Sequence, residues 1–148
     1  MIKPARQHRE HLLCAYFEAN RVLKESASNL RRNRGPSVLF AHPAFHKSRI
    51  NKKLVEKIND LEGVTLNNLY EKYPDFFINV KLEQKLLLEN DVIVWHHPFY
   101  WYSCPALLKE WMDLVLEHGF AYGAQGRVLE GKQAISVIST GGSQKVYS

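Results

Sequence analysis

The chain has 148 residues, 45% of them apolar and 24% charged, which suits one globular domain able to bury a real core. Its basicity (pI 9.2) is local: residues 1–36 hold eight Lys/Arg against three Asp/Glu, whereas residues 37–148 hold twelve of each. The body therefore carries no electrostatic footprint for DNA or RNA. Two cysteines, Cys14 and Cys104, make no disulfide framework and fit a reducing compartment. The longest early apolar run, Leu12 to Phe17, is too short for a signal-peptide core or a membrane span.

In chain order, residues 1–36 read as a basic N-terminal extension, partly helical or disordered. Leu12, Leu13, Tyr16, Phe17, Ala19 and Leu23 form one face of a short amphipathic helix, and Ser26 to Pro36 is a solvated linker. The second unit is residues 37–148. Val38 to Ala41 is a first strand, closed by His42-Pro43. Ser48 is a good N-cap, and Ile50, Leu54, Val55, Ile58 and Leu61 recur at helical spacing until Gly63 stops the helix. Val64 to Leu69 is a second strand. Tyr70 to Asn79 reads as irregular, with a Phe76-Phe77-Ile78 patch expected to be buried, and Lys81 to Asn90 as a short helix.

Val92 to Trp95 is a continuous apolar run, as in a strand covered on both faces. The loop His97–Ser103 follows, and Trp95 to Tyr102 packs five aromatic residues into eight positions. Pro105 opens a helix, with Ser103 or Cys104 as its expected cap and Leu107, Leu108, Trp111, Met112, Leu114 and Val115 as its apolar face. Gly119 to Gly131 reads as a long mobile loop. Ala134 to Ile138 is a fourth strand, and Ser139 to Gly142 the turn at its end. The alternation of strand and helix predicts an α/β doubly wound parallel sheet. No crossover helix follows the last strand, so the architecture is expected to be truncated after four strands.

In such a sheet the loops after strands one, three and four gather at one edge, where open α/β sheets bind ligands. The first loop brings His42, Ser48 and Asn51 to a helix N-terminus, whose free N–H groups and dipole favour a phosphate. The second brings Phe99, Tyr100, Trp101 and Tyr102, suited to a flat ring. The third brings Gly141-Gly142, which lets backbone donors approach closely. Phosphate, ring and polar rim together suggest flavin mononucleotide (FMN). Each piece also has a plain structural reading: Ser48 caps its helix, His42 closes its strand, the glycines turn the chain, and the aromatics pack on loops or a second subunit.

Other chemistries are less well served. His96 and His97 are adjacent on a strand and face opposite ways, so they do not chelate one metal together, and no metal site is expected. Cys104 has no resolving cysteine nearby and reads as structural. Gly-Gly-Ser at 141–143 lacks the spacing of a hydrolase nucleophile.

Several stretches carry a family resemblance: His42-Pro43, Ser48 to Asn51, Tyr73-Pro74-Asp75-Phe76, His97 through Lys109 and Thr140-Gly141-Gly142. From about Val38 onward the chain resembles the flavodoxin-like NAD(P)H:quinone oxidoreductases. Within them it is most like the bacterial ancillary proteins of glutathione-regulated potassium-efflux systems. The resemblance implies a flavodoxin-like fold of five strands, usually dimeric. Members start close to residue 37 and continue through a fifth strand and a final helix that this chain lacks. It implies FMN held at its phosphate by His42, Ser48, Arg49, Ile50 and Asn51. Phe99, Tyr100, Trp101 and Tyr102 would line the ring, and Ser139, Thr140, Gly141 and Gly142 would meet its pyrimidine side.

It further implies two-electron reduction of a quinone by NAD(P)H through the flavin, with Tyr102 or Tyr147 as substrate contacts and no certain catalytic residue. The implied setting is cytoplasmic, peripheral on the inner membrane through the cytoplasmic part of an efflux antiporter. The alternative reading is a non-catalytic regulatory subunit that binds and activates the efflux channel, or an inactive fragment of such a protein.

Overall fold

The computed structural model describes residues 35–141. The expectations placed on residues 1–34, and on Gly142 and Tyr147, lie outside the described residues. Four parallel strands form one sheet in the order β2-β1-β3-β4: β1 (Pro36–Phe40), β2 (Thr65–Asn68), β3 (Val92–Pro98) and β4 (Gln133–Ser139). The helices are α1 (Arg49–Asn59), α2 (Leu69–Lys72), α3 (Val80–Glu89) and α4 (Ala106–Val115), with one 3-10 turn at Phe45–Lys47.

β1 and β3 are central, and every residue of β1 is buried. Their register runs from Pro36↔Val92 to Phe40↔His96, and β3 pairs with β4 from Val92↔Gln133 to Pro98↔Ser139. Alternation along the strands then divides the side chains between two layers. Leu39, Ala41 and Ile93 point into the larger core with Leu69, Tyr73, Ile78, Leu87, Leu107, Leu108, Trp111 and Val115. Val38, Val92 and Val94 point the other way, where Ile58, Leu61, Val64 and Leu66 pack on them along with Ile135 and Val137 of β4. β4 is only half covered: its burial alternates between exposed and intermediate, and Ile138 stays 49% exposed. At the entry to β1, Gly35 lies so close to Gly63 that a Cβ would sit 1.7 Å from the Gly63 carbonyl oxygen.

The fold differs from the sequence reading at three places. Tyr70 to Asn79 is not wholly irregular, because a turn of helix, α2, continues directly from β2. The Phe76-Phe77-Ile78 patch is not buried as a unit. Ile78 is buried, Phe77 is 85% exposed, and Phe76 is 41% exposed with φ +65°. The Asp75 carboxylate accepts from the Phe77 N–H, making a tight turn that sends the two phenylalanines outward. Finally, neither Ser103 nor Cys104 caps α4. Pro105 is its N-cap, with no side-chain hydrogen bond, and Ser103 is engaged in the preceding turn.

The larger core closes over a carboxylate. Glu83 of α3 is fully buried and accepts four hydrogen bonds from three other parts of the fold. Asn67 Nδ2 of β2 (2.6 Å) and Trp111 Nε1 of α4 (2.8 Å) donate to Oε2. Lys72 Nζ and the Tyr73 hydroxyl, at the end of α2, donate to Oε1, each at 2.7 Å. Burial and the Glu83 carboxylate push the Tyr73 hydroxyl well above the usual tyrosine range. Every lone-pair direction of the carboxylate is used, the condition under which a charge survives in a core. Glu83→Ala strands the buried donors of Asn67, Tyr73 and Trp111, while Lys72 keeps solvent and the Asn67 oxygen, so urea denaturation should show a loss of about 3–5 kcal/mol.

Candidate functional site

The order β2-β1-β3-β4 places the direction reversal between β1 and β3, so the loops at their carboxyl ends flank the cleft of a doubly wound sheet. The first of these loops is built around histidine and phenylalanine rings. His42 is buried, and its Nδ1 accepts from the Ala44 N–H at 3.1 Å, so the ring is neutral with its hydrogen on Nε2. Burial also lowers its pKa. Phe40, at the end of β1, holds the edge of Phe45 at 4.9 Å and lies 5.0 Å from the ring of His96.

The chain then enters α1 through Ser48, whose hydroxyl accepts from the Asn51 N–H at 3.3 Å. That cap satisfies one donor of the first turn, and Lys52 N–H bonds the Ser48 carbonyl. The amides of Arg49 and Ile50, the first two of the helix, have no intrahelical acceptor and stand at its positive end. Arg49 is exposed and Ile50 half-buried.

Asn51 is almost completely buried, and its side chain joins three loops. Nδ2 donates to the Ser48 hydroxyl at 2.8 Å and to the Ser139 hydroxyl, at the end of β4, at 3.1 Å. Oδ1 lies 2.8 Å from His96 Nε2 on β3. With both amide hydrogens on serine oxygens, Oδ1 is the acceptor and His96 Nε2 carries the hydrogen. His96 Nδ1 is then a buried acceptor without a partner among the described residues. Ser139 makes a second connection, its carbonyl accepting from Phe99 N–H at 2.8 Å. Loops one, two and three are therefore tied together by Asn51 and Ser139. His97 points to the opposite face, with Nδ1 2.9 Å from the Pro98 carbonyl.

The second loop is a two-residue turn. Tyr100 N–H donates to the Ser103 carbonyl at 3.0 Å and Ser103 N–H to the Tyr100 carbonyl at 2.7 Å. The two residues between them, Trp101 (φ +42°) and Tyr102 (φ +59°), both occupy the left-handed region. This is the geometry that hairpins usually build from Asn-Gly. Here it carries two large rings, 94% and 87% exposed, with Tyr102 edge-on to Phe99 at 5.7 Å. Tyr70 lies beside this loop, its hydroxyl pKa raised by burial and, to a lesser extent, by Tyr100 and Cys104, and it holds the ring of Phe76 edge-on at 6.1 Å. The three non-glycine residues with positive φ among the described residues are thus Phe76, Trp101 and Tyr102, all aromatic and all exposed. Such strain, of order 1–3 kcal/mol per residue, collects where a surface is shaped for contact.

In the third loop Thr140 and Gly141 are exposed. Gly141 is not in the left-handed region, and a Cβ there would meet nothing within 4 Å among the described residues. None of the described residues demands glycine at 141, and its backbone is exposed among them. A helix N-terminus, strained exposed rings and an exposed backbone at one edge of the sheet have the chemistry that a phosphorylated flat heterocycle would use. Sequence reading does not single out two residues that support this edge: His96, weighed there only for metal chelation, and, in the core beneath, Glu83, which bonds Lys72 and Tyr73 just ahead of the Phe76-Phe77 turn. The helical spacing of Glu83 from Leu87 and from the apolar residues around it was the available signal.

Comparison with known proteins agrees with this architecture. A family profile for the flavodoxin-like fold matches residues 37–148. The chain belongs to the flavodoxin-like family. Among curated relatives, this flavodoxin-like chain is 51% identical over 110 residues to the glutathione-regulated potassium-efflux system ancillary protein KefG of Yersinia enterocolitica serotype O:8 / biotype 1B, covering 74% of this chain. It spans 60% of the length of that relative. Three crystal structures are also similar. The general stress protein 14 of Treponema denticola, in complex with FMN, is 36% identical with a TM-score of 0.74, over 76% of this chain and 66% of that one. The NADPH-quinone reductase of P. pentosaceus is 39% identical with a TM-score of 0.66, over 74% and 62%. A protein described as a thermophilic tryptophan halogenase from Streptomycin violaceusniger is 44% identical with a TM-score of 0.73, over 76% and 65%.

Two outcomes follow from the geometry. Replacing Trp101-Tyr102 by Asn-Gly relieves the left-handed strain, so the double variant should unfold at higher urea, a gain of about 1–3 kcal/mol. His96 is held neutral, its pKa taken from 6.5 down to about 4 by burial first and by the nearby His97 and His42 second. The unfolded chain binds the proton more readily than the folded one. Stability is therefore full above about pH 6.5 and falls by about 3 kcal/mol as the pH drops toward 4. Denaturation midpoints between pH 4 and 7 should show this slope, and His96→Gln should flatten it.

Proposed function

We propose that the chain is an FMN-dependent NAD(P)H:quinone oxidoreductase unit, ancillary to a potassium-efflux system. The observation that carries this reading is the tie through Asn51 and Ser139, which joins the start of α1, the end of β4 and the start of the strained aromatic turn at one edge of the sheet. The FMN complex of the T. denticola protein supports the cofactor, the P. pentosaceus reductase supports the reaction class, and KefG supports the partner. The halogenase likeness concerns a shared fold, which does not fix chemistry.

Bound FMN would supply the hydride chemistry, accepting from NAD(P)H and delivering to a quinone. The residues of this chain do the rest. The free amides of Arg49 and Ile50, with the Ser48 hydroxyl, would hold the phosphate at the positive end of α1. His42, neutral and buried, shapes the floor of that loop and leaves the charge to the helix. Phe99, Tyr100, Trp101 and Tyr102 would form the ring platform, and the exposed rings would exclude water once covered. Ser139, Thr140 and Gly141, with Gly142 beyond the described residues, would address the polar edge of the ring. Tyr102 or Tyr147 is the proposed substrate contact. The proposed setting is the cytoplasmic side of the inner membrane, through a membrane partner. No described helix is long and apolar enough to cross a membrane.

A second reading has its own support: the 51% identical relative is named an ancillary protein. In that reading the aromatic surface, as a homodimer or alone, binds the cytoplasmic part of the efflux antiporter, and the flavin only shapes it. The protein mixed with FMN should acquire and retain a shifted visible flavin spectrum, and should then oxidise NADH in the presence of menadione. Flavin retention without turnover would favour the regulatory reading, and no retention would overturn both roles for the cofactor. Arg49→Glu, on an exposed residue, should weaken FMN by about tenfold while leaving riboflavin almost unchanged, because only FMN carries the phosphate.

A further inference from the structure

We propose that His96 is a positioning residue that couples the two ends of the cleft, acting through Asn51. The assignment of those ends as phosphate end and ring end rests on the function proposed above. The argument starts from the asymmetry of an amide. Asn51 offers two hydrogens on one side and a carbonyl oxygen on the other, and its neighbours are two serine hydroxyls and an imidazole. Turned by 180°, the side chain would aim its oxygen between the serines and its hydrogens at His96. The orientation that joins both serines through donated hydrogens is selected when His96 presents Nε2–H.

His96 is built to present it. The ring is 1% exposed, rests against Phe40 and lies on a central strand, so it is held by packing. Its Nδ1 has no hydrogen-bond partner among the described residues, so a hydrogen there would be a stranded buried donor, and the favoured tautomer carries it on Nε2, facing Asn51. From Asn51 the connection runs in both directions. On one side Ser48 caps α1 and sets its first turn. On the other Ser139 accepts from Asn51 through its hydroxyl and from Phe99 N–H through its carbonyl, which starts the aromatic turn. A group at the α1 N-terminus and a ring on the aromatic turn are thus joined by one buried chain of hydrogen bonds, in which His96 fixes the direction. This role belongs to the chain itself and does not require a bound cofactor.

The test uses the full chain without flavin, followed by amide hydrogen exchange. His96→Leu should speed exchange at both Asn51 and Phe99 by about tenfold, the effect of one lost buried hydrogen bond. His96→Gln, whose side-chain amide can donate from nearly the same place, should return both to wild-type rates. Ser139→Ala keeps His96 and cuts only the link to the aromatic turn. It should speed Phe99 and break its correlation with Asn51, which keeps the question decidable if His96→Leu fails to fold. Added inorganic phosphate should slow exchange at Phe99 in the wild type and His96→Gln, but not in Ser139→Ala. The proposal is overturned if His96→Leu loosens only its own strand, for example the Ala41 N–H that bonds the His96 carbonyl. It is equally overturned if His96→Gln fails to restore both sites. Coupled exchange with no response to phosphate would uphold the coupling and refute the phosphate assignment, so the two ideas fail separately.

Discussion

The buried amide of Asn51 is the constraint on which the upper half of the molecule depends. Parallel strands bring the ends of β1, β3 and β4 to one edge, but nothing in a parallel ladder tells three loops how to sit relative to one another. One side chain does, because an amide in a dry interior must place two hydrogens and one oxygen on specific partners. Ser48, Ser139 and His96 each come from a different element. The position of the helix start, of the turn after β4 and of the last residues of β3 are therefore not independent quantities.

Against this fixed frame the aromatic turn is held in a costly shape. Trp101 and Tyr102 occupy backbone conformations that suit asparagine and glycine, and their rings gain little from burial in the chain itself. The compensation lies below, in the core of Leu39, Leu69, Leu107, Leu108 and Trp111, and in the saturated carboxylate of Glu83. The division of labour is spatial: packing below the sheet edge supplies stability, and strain at the edge supplies a surface poised for contact.

Much of this was legible in the sequence. The alternation of apolar runs and helical stripes announced the parallel sheet, Ser48 announced the start of α1, and the crowd of aromatics after Trp95 falls in the strained, exposed turn at the end of β3. What stayed hidden depends on contacts between residues far apart in sequence. Asn51 and Ser139 are 88 residues apart, Asn51 and His96 are 45 apart, and no local pattern joins them. Apolar character alone does not bury Phe76 and Phe77. The local turn set by Asp75 decides which way those rings face, and only Ile78 turns inward. Likewise the Tyr73-Pro74-Asp75-Phe76 stretch proves structural at its first and third positions, through Tyr73 to Glu83 and Asp75 to the Phe77 amide.

Glu83 has a consequence for how the molecule assembles. Its four donors arrive from β2, from the end of α2 and from α4, and a carboxylate buried with only some of them in place is worse off than one left in water. Docking α3 alone onto the sheet is therefore unfavourable, and so is docking α4 without it. The helices on this face should close over the sheet together and open together, as one cooperative unit rather than a series of separable layers. On the opposite face α1 is pinned at its start by the Asn51 amide, but beyond that turn Ile58 packs on an apolar layer, so this side is free to loosen by degrees from the carboxyl end of the helix.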